Sequence, residues 1–179
     1  MAIFTNGVFP AGGEAGDGGG IVQVRNFHRS GPLSYSGINS STYNCLLYSE
    51  ITPSDNTNKI LIFASIDGVA NRGGSEWEAW IGYNANATNG STITASDQGV
   101  GGWTNLAPIT GLGSWGSGDQ TIGSYNAHIL HAPATTSLCR YEIITNRRSS
   151  IYVNNEWNTS PDAGGSDQGT SLILMEISS

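Results

Sequence analysis

The sequence has few charged residues, and few of these are basic. Charged side chains make up 12% of the 179 residues, and seven Lys and Arg stand against fourteen Asp and Glu. Nucleic acids and anionic membranes are both bound through clustered basic side chains, and only Arg147 and Arg148 are adjacent. The composition therefore predicts no nucleic-acid partner and no basic membrane-binding patch.

Long apolar runs, a secretory leader and a cysteine framework are also missing. No run approaches the roughly 20 apolar residues of a membrane-spanning helix, and residues 1–20 have neither the basic start nor the apolar centre of a signal peptide. We therefore expect a protein made in the cytoplasm and not inserted in a membrane. The two cysteines, Cys45 and Cys139, fit buried free thiols, with a single disulfide as the alternative.

What the sequence does have is glycine, at 25 residues, between short β-branched and aromatic runs. This pattern is typical of strands joined by tight turns, and no stretch shows a sustained helical period. We predict an all-β fold, an antiparallel β-sandwich of the jelly-roll type in one domain. The predicted strands are residues 21–28, 43–52, 59–67, 77–84, 124–131, 138–145, 151–154 and 170–178.

The first residues differ in composition from the rest. Residues 11–20 are mostly glycine and small or acidic residues, which indicates a flexible linker. A short apolar peptide precedes it, formed by Ile3, Phe4, Val8 and Phe9. We interpret residues 1–19 as an anchor peptide with its linker, which docks into another protein, and residues 20–179 as a β-sandwich head domain. A frayed terminus is the alternative for the peptide.

Two strands are apolar on both faces, which bears on assembly. Leu61 and Phe63 lie opposite an isoleucine-rich face, and Leu172 and Leu174 alternate with other apolar residues in the last strand. A sandwich buries only the inner face of each sheet. We therefore expect Leu61, Phe63, Leu172 and Leu174 to lie in an interface with another copy of the same chain, with cover by the chain's own loops as the alternative.

Residues 99–123 are rich in glycine and lack regular alternation, which predicts a long surface loop. The residues in it that suit sugar recognition, by ring stacking and directed hydrogen bonds, are Trp103, Asn105, Trp115 and Asp119. Trp157, in a polar turn region, is a further candidate. We expect a receptor-facing surface here, and tryptophans that fold back onto the sandwich or fill a subunit interface are the alternative.

Tests for chemistry give no positive result. His128 and His131 are three residues apart, which on a strand sends their side chains to opposite faces, so they do not form a local metal site. No nucleophile motif, paired carboxylates or phosphate-binding loop is present. We therefore expect no enzyme, no metal and no cofactor.

Four segments in order resemble the C-terminal domains of tail-fibre-like proteins from marine and cyanobacterial phages. Residues 20–24 are similar to a G-x-I-x-Q-V strand, and residues 51–62 are similar to an I-T-P-S segment followed by a polar turn and K-I-L-V. Residues 131–142 are similar to D-x-P-x-T-T-S-x-x-Y-x-V, with His131 in place of the acid, and residues 169–177 to S-x-I-x-L-M-E-I. The resemblance implies a trimeric jelly roll like the heads of tumour necrosis factor and complement C1q.

From the residues and the resemblance together we expect a virion protein of a tailed phage, a trimeric fibre or spike head that binds a glycan or other receptor on the host surface. Its N-terminal peptide would bind another virion protein. A capsid decoration or head-fibre protein with no receptor role is the first alternative. A polysaccharide depolymerase is the second.

Overall fold

The computed structural model describes residues 19–30, 33–35, 43–72, 77–84, 103–112, 120–147, 151–153 and 169–179. Within these ranges all regular structure is β, and none of it is a helix that could cross a membrane. The strands are β1 Ile21–Ser30, β2 Leu33–Tyr35, β3 Tyr43–Ile51, β4 Lys59–Arg72, β5 Trp77–Asn84, β6 Trp103–Leu112, β7 Gln120–His131, β8 Cys139–Arg147, β9 Ile151–Val153 and β10 Gly169–Ile177.

The strands form two antiparallel sheets, as expected for a β-sandwich. In the front sheet, β10 lies between β1 and β4, and β7 pairs with the other edge of β4. The short strand β9 pairs with Ala70 and Asn71, near the end of β4, and β2 pairs with β9. The back sheet has the order β3-β8-β5-β6. The chain changes sheets between most successive strands, and β5 and β6 are neighbours in both sequence and sheet.

The eight predicted strands are confirmed, with ends that agree within five residues, but two strands, β2 and β6, were not predicted. Residues 99–123 are not a single loop, because β6 and the start of β7 lie within them. Two register shifts against β5 break the alternation of β6. Pro108 also argues against a strand by sequence, but β6 is at the edge of its sheet, where a missing N–H is tolerated. These irregularities explain why the sequence pattern did not predict β6.

The core lies between the inner faces of the sheets. From the front sheet, Ile60, Ile62 and Ile66 of β4 are buried, and Tyr141 and Ile143 are among their counterparts in the back sheet. Full burial of such side chains is worth about 1.5–3 kcal/mol each. The isoleucine-rich alternation of β4 therefore decides which of its faces points inward.

Leu172 and Leu174 do not lie on the outer face, and their assignment to a subunit interface was wrong. Both are 0% exposed and belong to the core of the chain itself. In the register of β10 with β4, Leu172 is opposite Ala64 and Leu174 is opposite Ile62. Partners in an antiparallel pair share one side of the sheet, so the buried face of β4 determines the face of β10.

The two cysteines are free thiols. Cys45 on β3 is opposite Ile144 of β8, five residues along the strand from Cys139. At about 3.4 Å per residue this is roughly 17 Å, well beyond the reach of a disulfide. Burial raises the pKa of both thiols. The alternative of a bridge within one chain is thereby removed.

A buried carboxylate fixes one end of the sandwich, which we call the anchor end because Gly20, the first residue before β1, lies there. Glu176 of β10 is 0% exposed. Its Oε1 accepts hydrogen bonds from the Ser54 backbone N–H at 2.7 Å, the Ser54 hydroxyl at 2.8 Å and Asn58 Nδ2 at 2.6 Å, and its Oε2 accepts one from Gln23 Nε2 at 2.5 Å. The carboxylate thus ties β1, the turn 52–58 and β10 together.

The hydrogen bonds also set the charge state of this carboxyl. Burial alone raises the pKa of Glu176, but the donors on Asn58, Gln23 and Ser54 outweigh it and lower the pKa below its ordinary value of 4.5. Next to it, the Ser178 backbone N–H donates to the Gly20 carbonyl at 3.0 Å, and the Gly20 N–H donates to the Ser178 hydroxyl at 2.8 Å. The Thr57 and Ser179 hydroxyls are 2.7 Å apart. These contacts hold Gly20, which precedes β1, to the residues that follow β10.

We expect Glu176→Gln to lower the free energy of unfolding by about 2–4 kcal/mol, because an amide cannot accept from all of these donors. The stability that Glu176 contributes is fully present above its unfolded pKa and is lost as the pH falls through the lower folded value. The variant should lose this pH dependence. Urea denaturation from pH 3 to 7 measures both effects.

Asp55→Asn is the matched control. Asp55 is an exposed carboxylate of the same turn that accepts from the Thr57 N–H and hydroxyl, and its loss should cost much less than that of Glu176. Equal destabilisation by the two variants would contradict the central place given to Glu176.

Candidate functional site

The outer face of the front sheet carries an apolar band that spans four strands. One row across the sheet holds Leu130 of β7, Leu61 of β4, Met175 of β10 and Val24 of β1, and the next row contains Phe63 and Ile173. Leu130 is 51% exposed and Phe63 is 39% exposed, and the others are partly exposed. We call these six residues the apolar band.

Polar side chains limit the band toward the far end of the sandwich, opposite the anchor end. The row there consists of Asn126, Ser65, Ser171 and His28, one from each of β7, β4, β10 and β1. On the other side, the last row before the anchor end contains Lys59 beside Ile177 and Ile21. A contiguous exposed apolar surface with a polar border is typical of an interaction site.

The outer face of the back sheet is different. Arg140 of β8 donates hydrogen bonds from Nε and Nη2 to Glu50 Oε1 of β3, and its guanidinium lies 4.5 Å from the centre of the Tyr48 ring. Glu142 follows on the same side of β8. Charged and hydrogen-bonded groups thus occupy this face at β3 and β8, whereas the front sheet presents the apolar band.

A second apolar surface lies along one long edge of the sandwich, next to the band. Most of the hydrophobic residues that are only partly covered by the core belong to β5, β6 and β7, namely Tyr83, Leu106, Ala107, Tyr125, Ala127 and Ile129. The inward side chains of β7 are therefore incompletely covered. We call this surface the open edge.

The open edge ends in a polar and aromatic cluster near the anchor end. The rings of His131 and Tyr83 are 4.5 Å apart, and His131 Nδ1 lies 3.0 Å from the Tyr141 hydroxyl. The Tyr83 hydroxyl lies 3.7 Å from Cys139 Sγ. Burial lowers the pKa of His131 and raises the pKa of Tyr141 and Cys139. All three groups are kept neutral, which fits a packed layer and gives no activated nucleophile.

The two ends of the sandwich connect different parts of the chain. At the anchor end lie Gly20 and the turns 52–58 and 132–138. β5 also ends there, before residues 85–102, because its last residue, Asn84, is opposite Arg140. Several strands begin or end at the far end. Trp77, the first residue of β5, is opposite both Leu112, the last of β6, and Arg147, the last of β8. Gln120, the first residue of β7, is opposite Arg72, the last of β4. Segments 113–119 and 154–168 both connect to strands that end at the far end.

The proposed receptor residues are divided by this arrangement. Trp103 and Asn105 begin β6 at the anchor end. Trp115, Asp119 and Trp157 lie outside the described residues, in the segments that join far-end strands. The anchor-peptide residues Ile3, Phe4, Val8 and Phe9 also lie outside the described ranges.

The structure adds band residues that sequence reasoning missed. Leu61 and Phe63 lie in the band, but Leu130, Ile173 and Met175 lie there too. Their strands had been recognised, and the register between strands was the missing information. His128 and His131 point to opposite sides of β7, as their spacing predicts, and no group of three possible metal ligands occurs among the residues that the structure describes.

Comparisons with known proteins find similarity to solved structures, of which ten chains match. Neither a protein-family model nor a curated protein sequence matches the chain. A solved chain titled "Structure of infectious bursal disease virus Gx strain" is similar over 96% of this chain and 41% of that chain, at 13% identity and a TM-score of 0.36. This chain therefore spans less than half the length of its neighbour, and the similarity is too remote to inform function.

The pKa of His131 predicts how the fold responds to acid. Because burial lowers this pKa below 6.5, the contribution of neutral His131 to stability is fully present above that value and is lost as the pH falls through the folded pKa. His131→Asn should be less stable at pH 7.5 and should lose this part of the pH dependence. Thermal unfolding between pH 5 and 7.5 tests this, with His28→Asn, an exposed histidine, as the control. A variant that keeps the wild-type slope would contradict the role given to His131.

Proposed function

We propose that this chain is a virion protein of a tailed phage, a homotrimeric jelly-roll head that attaches the particle to the host cell surface. The observation that carries the proposal is the apolar band on the outer face of the front sheet, together with the separation of the two ends of the sandwich. The proposal assigns the chain no enzymatic activity and no cofactor.

The strand order supports the jelly roll. β1, β10, β4 and β7 lie in one sheet and β3, β8, β5 and β6 in the other, so successive strands mostly alternate between the sheets. Two interlocked Greek keys give this kind of connectivity. The resemblance to phage tail-fibre-like proteins also has a structural counterpart. Three of the four similar segments contribute Gln23, Ser54 and Glu176, which form one hydrogen-bonded cluster.

The band and the open edge together support a closed assembly of three copies. A ring requires a heterologous interface, in which one surface of each subunit contacts a different surface of the next. The two apolar surfaces adjoin along β7 and face different directions, since Leu130 points outward and Ile129 points toward the core.

The two ends of the head support attachment. Residues 1–19 precede β1 at the anchor end, so an anchor peptide containing Ile3, Phe4, Val8 and Phe9 would fix that end to another virion protein. The strand ends that flank segments 113–119 and 154–168 would then face away from the particle. In the sequence of these two segments, the residues that suit a glycan are Trp115, Asp119 and Trp157, through ring stacking and carboxylate hydrogen bonds. Trp103 and Asn105, at the other end, are not part of this recognition surface.

The trimer predicts a mass about three times the 18.8 kDa of the chain in light scattering at pH 7.5. Leu130→Asp should give a folded monomer, because it places a charge in the covered band. Asn126→Asp is the matched control, with the same charge on the same strand and face but in the polar row. A monomeric wild type, or a trimer in both variants, would overturn the assembly.

Attachment predicts that the purified head competes with the phage for host cells. Trp115→Ala and Trp157→Ala should each weaken this competition by roughly tenfold or more, as expected for buried aromatic anchors, while the mass stays that of the trimer. Trp103→Ala is a comparison at the opposite end and should compete like the wild type if it folds.

The outcome of the competition separates attachment from its alternatives. The decoration role would be favoured if the head does not compete with the phage and if images of the particle place it on the capsid. Oligosaccharide released from host capsule or lipopolysaccharide would favour a depolymerase.

A further inference from the structure

The buried carboxylate at the anchor end has no basic side chain among its hydrogen-bond donors. Glu176 is 0% exposed, and the four groups that donate to it are neutral amide, hydroxyl and backbone groups. Arg140, the other buried charged residue within the described ranges, has an ion pair with Glu50. The charge of Glu176 is therefore stabilised by neutral donors and depends on their positions.

Gln23 connects β1 to this carboxylate. The register of β1 with β10 shifts between Ile21 and Gln23, and this bulge places Gln23 opposite Glu176. Without the extra residue, Gln23 would point to the outer face, as Ile21 does. Gln23 Nε2 donates to Glu176 Oε2 at 2.5 Å and to the Thr52 carbonyl at 2.8 Å. Both hydrogens of this amide nitrogen are thus used.

The two oxygens of Glu176 accept different numbers of hydrogen bonds. Oε1 accepts three, from Ser54 and Asn58, whereas Oε2 accepts the one from Gln23. A proton on Oε2 displaces the fewest donors, but it turns that oxygen into a donor that faces the Gln23 N–H. If the Gln23 amide turned over, its oxygen would face the Thr52 carbonyl instead. Protonation therefore breaks the contact of β1 before those of the turn 52–58.

Few other contacts hold the start of β1. This strand is at the edge of the front sheet, and its hydrogen-bonded neighbour among the described strands is β10. Before the bulge, Ile21 pairs with Ile177, and Gly20 is joined to Ser178 by the two hydrogen bonds given above. Loss of the Gln23 contact thus leaves residues 20–23 attached by a short end of the ladder.

The other charged groups near Glu176 lie in other rows or on other faces. In its own row across the front sheet, Ile60 of β4 comes next, and His131 of β7 is two strands away, at roughly 10 Å. On the surrounding elements the charged residues are Arg25, one row farther along β1, Asp55, exposed in the turn, Lys59, on the outer side of β4, and Glu50, on the outer face of the back sheet. Within the described ranges, none of the groups that shift the pKa of Glu176 is charged.

We propose that the anchor end is an acid-sensitive joint, in which protonation of Glu176 releases Gln23 and frees the start of β1 while the sandwich stays folded. Residues 20–23 would then extend the segment that precedes the head. The joint requires neither the trimer nor attachment to a host. In a head that is fixed through residues 1–19, its opening would let the head change its orientation on the particle.

Linkage gives the direction and the range of the effect. In the closed joint the donors hold the pKa of Glu176 below 4.5, and in the open joint the pKa returns toward that value. Below pH 4.5 the open form therefore binds more protons, and its equilibrium constant rises by up to about tenfold for each pH unit. The rise ends below the pKa of the closed form. Above pH 4.5 the joint stays closed.

Hydrogen exchange of the full chain, resolved by NMR and expressed as protection factors, measures the joint and the sandwich separately at pH 5.5 and pH 3.0. The Ser178 amide reports on the joint, because it donates to the Gly20 carbonyl. The amides of β4, which is paired on both sides, report on the sandwich. In the wild type, protection of Ser178 should fall by roughly tenfold relative to β4 at the lower pH.

Two variants should open the joint without acid. Glu176→Gln presents an N–H to Gln23, as the protonated acid presents an O–H, and Gln23→Met removes the amide while the donors of the turn remain. In both, Ser178 should be poorly protected relative to β4 at pH 5.5, with little further change at pH 3.0. Asp55→Asn removes an exposed carboxylate of the same turn, whose pKa is lowered by hydrogen bonds from Thr57, and should behave like the wild type.

The contrary results are distinct. Equal loss of protection at Ser178 and in β4 would mean that acid unfolds the whole sandwich, and unchanged protection of Ser178 at pH 3.0 would mean that the joint is insensitive to acid. A wild-type response in Glu176→Gln or Gln23→Met, or loss of the response in Asp55→Asn, would assign the effect to another group. Each would overturn the joint and leave the trimer and the attachment to their own measurements.

Discussion

A sandwich of two sheets hides one face of each sheet, and the rest of this structure depends on how the other face of the front sheet is covered. The isoleucines of β4 direct one side inward, so Leu61 and Phe63 must point outward. The register with β7 and β10 then places Leu130, Ile173 and Met175 beside them. Because burial of apolar area stabilises by about 25 cal/mol per Å², this band favours association with a second surface.

Hydrogen bonds at the anchor end join the first strand, the turn 52–58 and the last strand. Glu176 joins Gln23 of β1 and Ser54 and Asn58 of the turn to the last strand, and Gly20 is held to Ser178 next to it. The point at which residues 1–19 join the head is thus rigidly tied to the sandwich.

Alternation predicted most strands and the two-sided character of β4, because burial imposes a period of two on the sequence. It did not predict which face of β10 is inside. Leu172 and Leu174 are indistinguishable by pattern from Ile173 and Met175, and only the pairing with Ala64 and Ile62 decides between them. β6 was missed because its bulges and Pro108 disturb the pattern that identifies a strand. The position of Trp103 at the start of β6, near the anchor end, follows from that strand and needed the fold.

Hydroxyl-radical footprinting of the intact wild-type chain at pH 7.5 tests most directly whether the band is covered. Phe63, Leu130 and Met175 are reactive side chains that report on their own exposure, and Ile21, 45% exposed outside the band, serves as the internal reference. The account predicts that the three band residues are protected relative to Ile21 and become reactive on dilution below the assembly concentration. Equal labelling at all concentrations would contradict it.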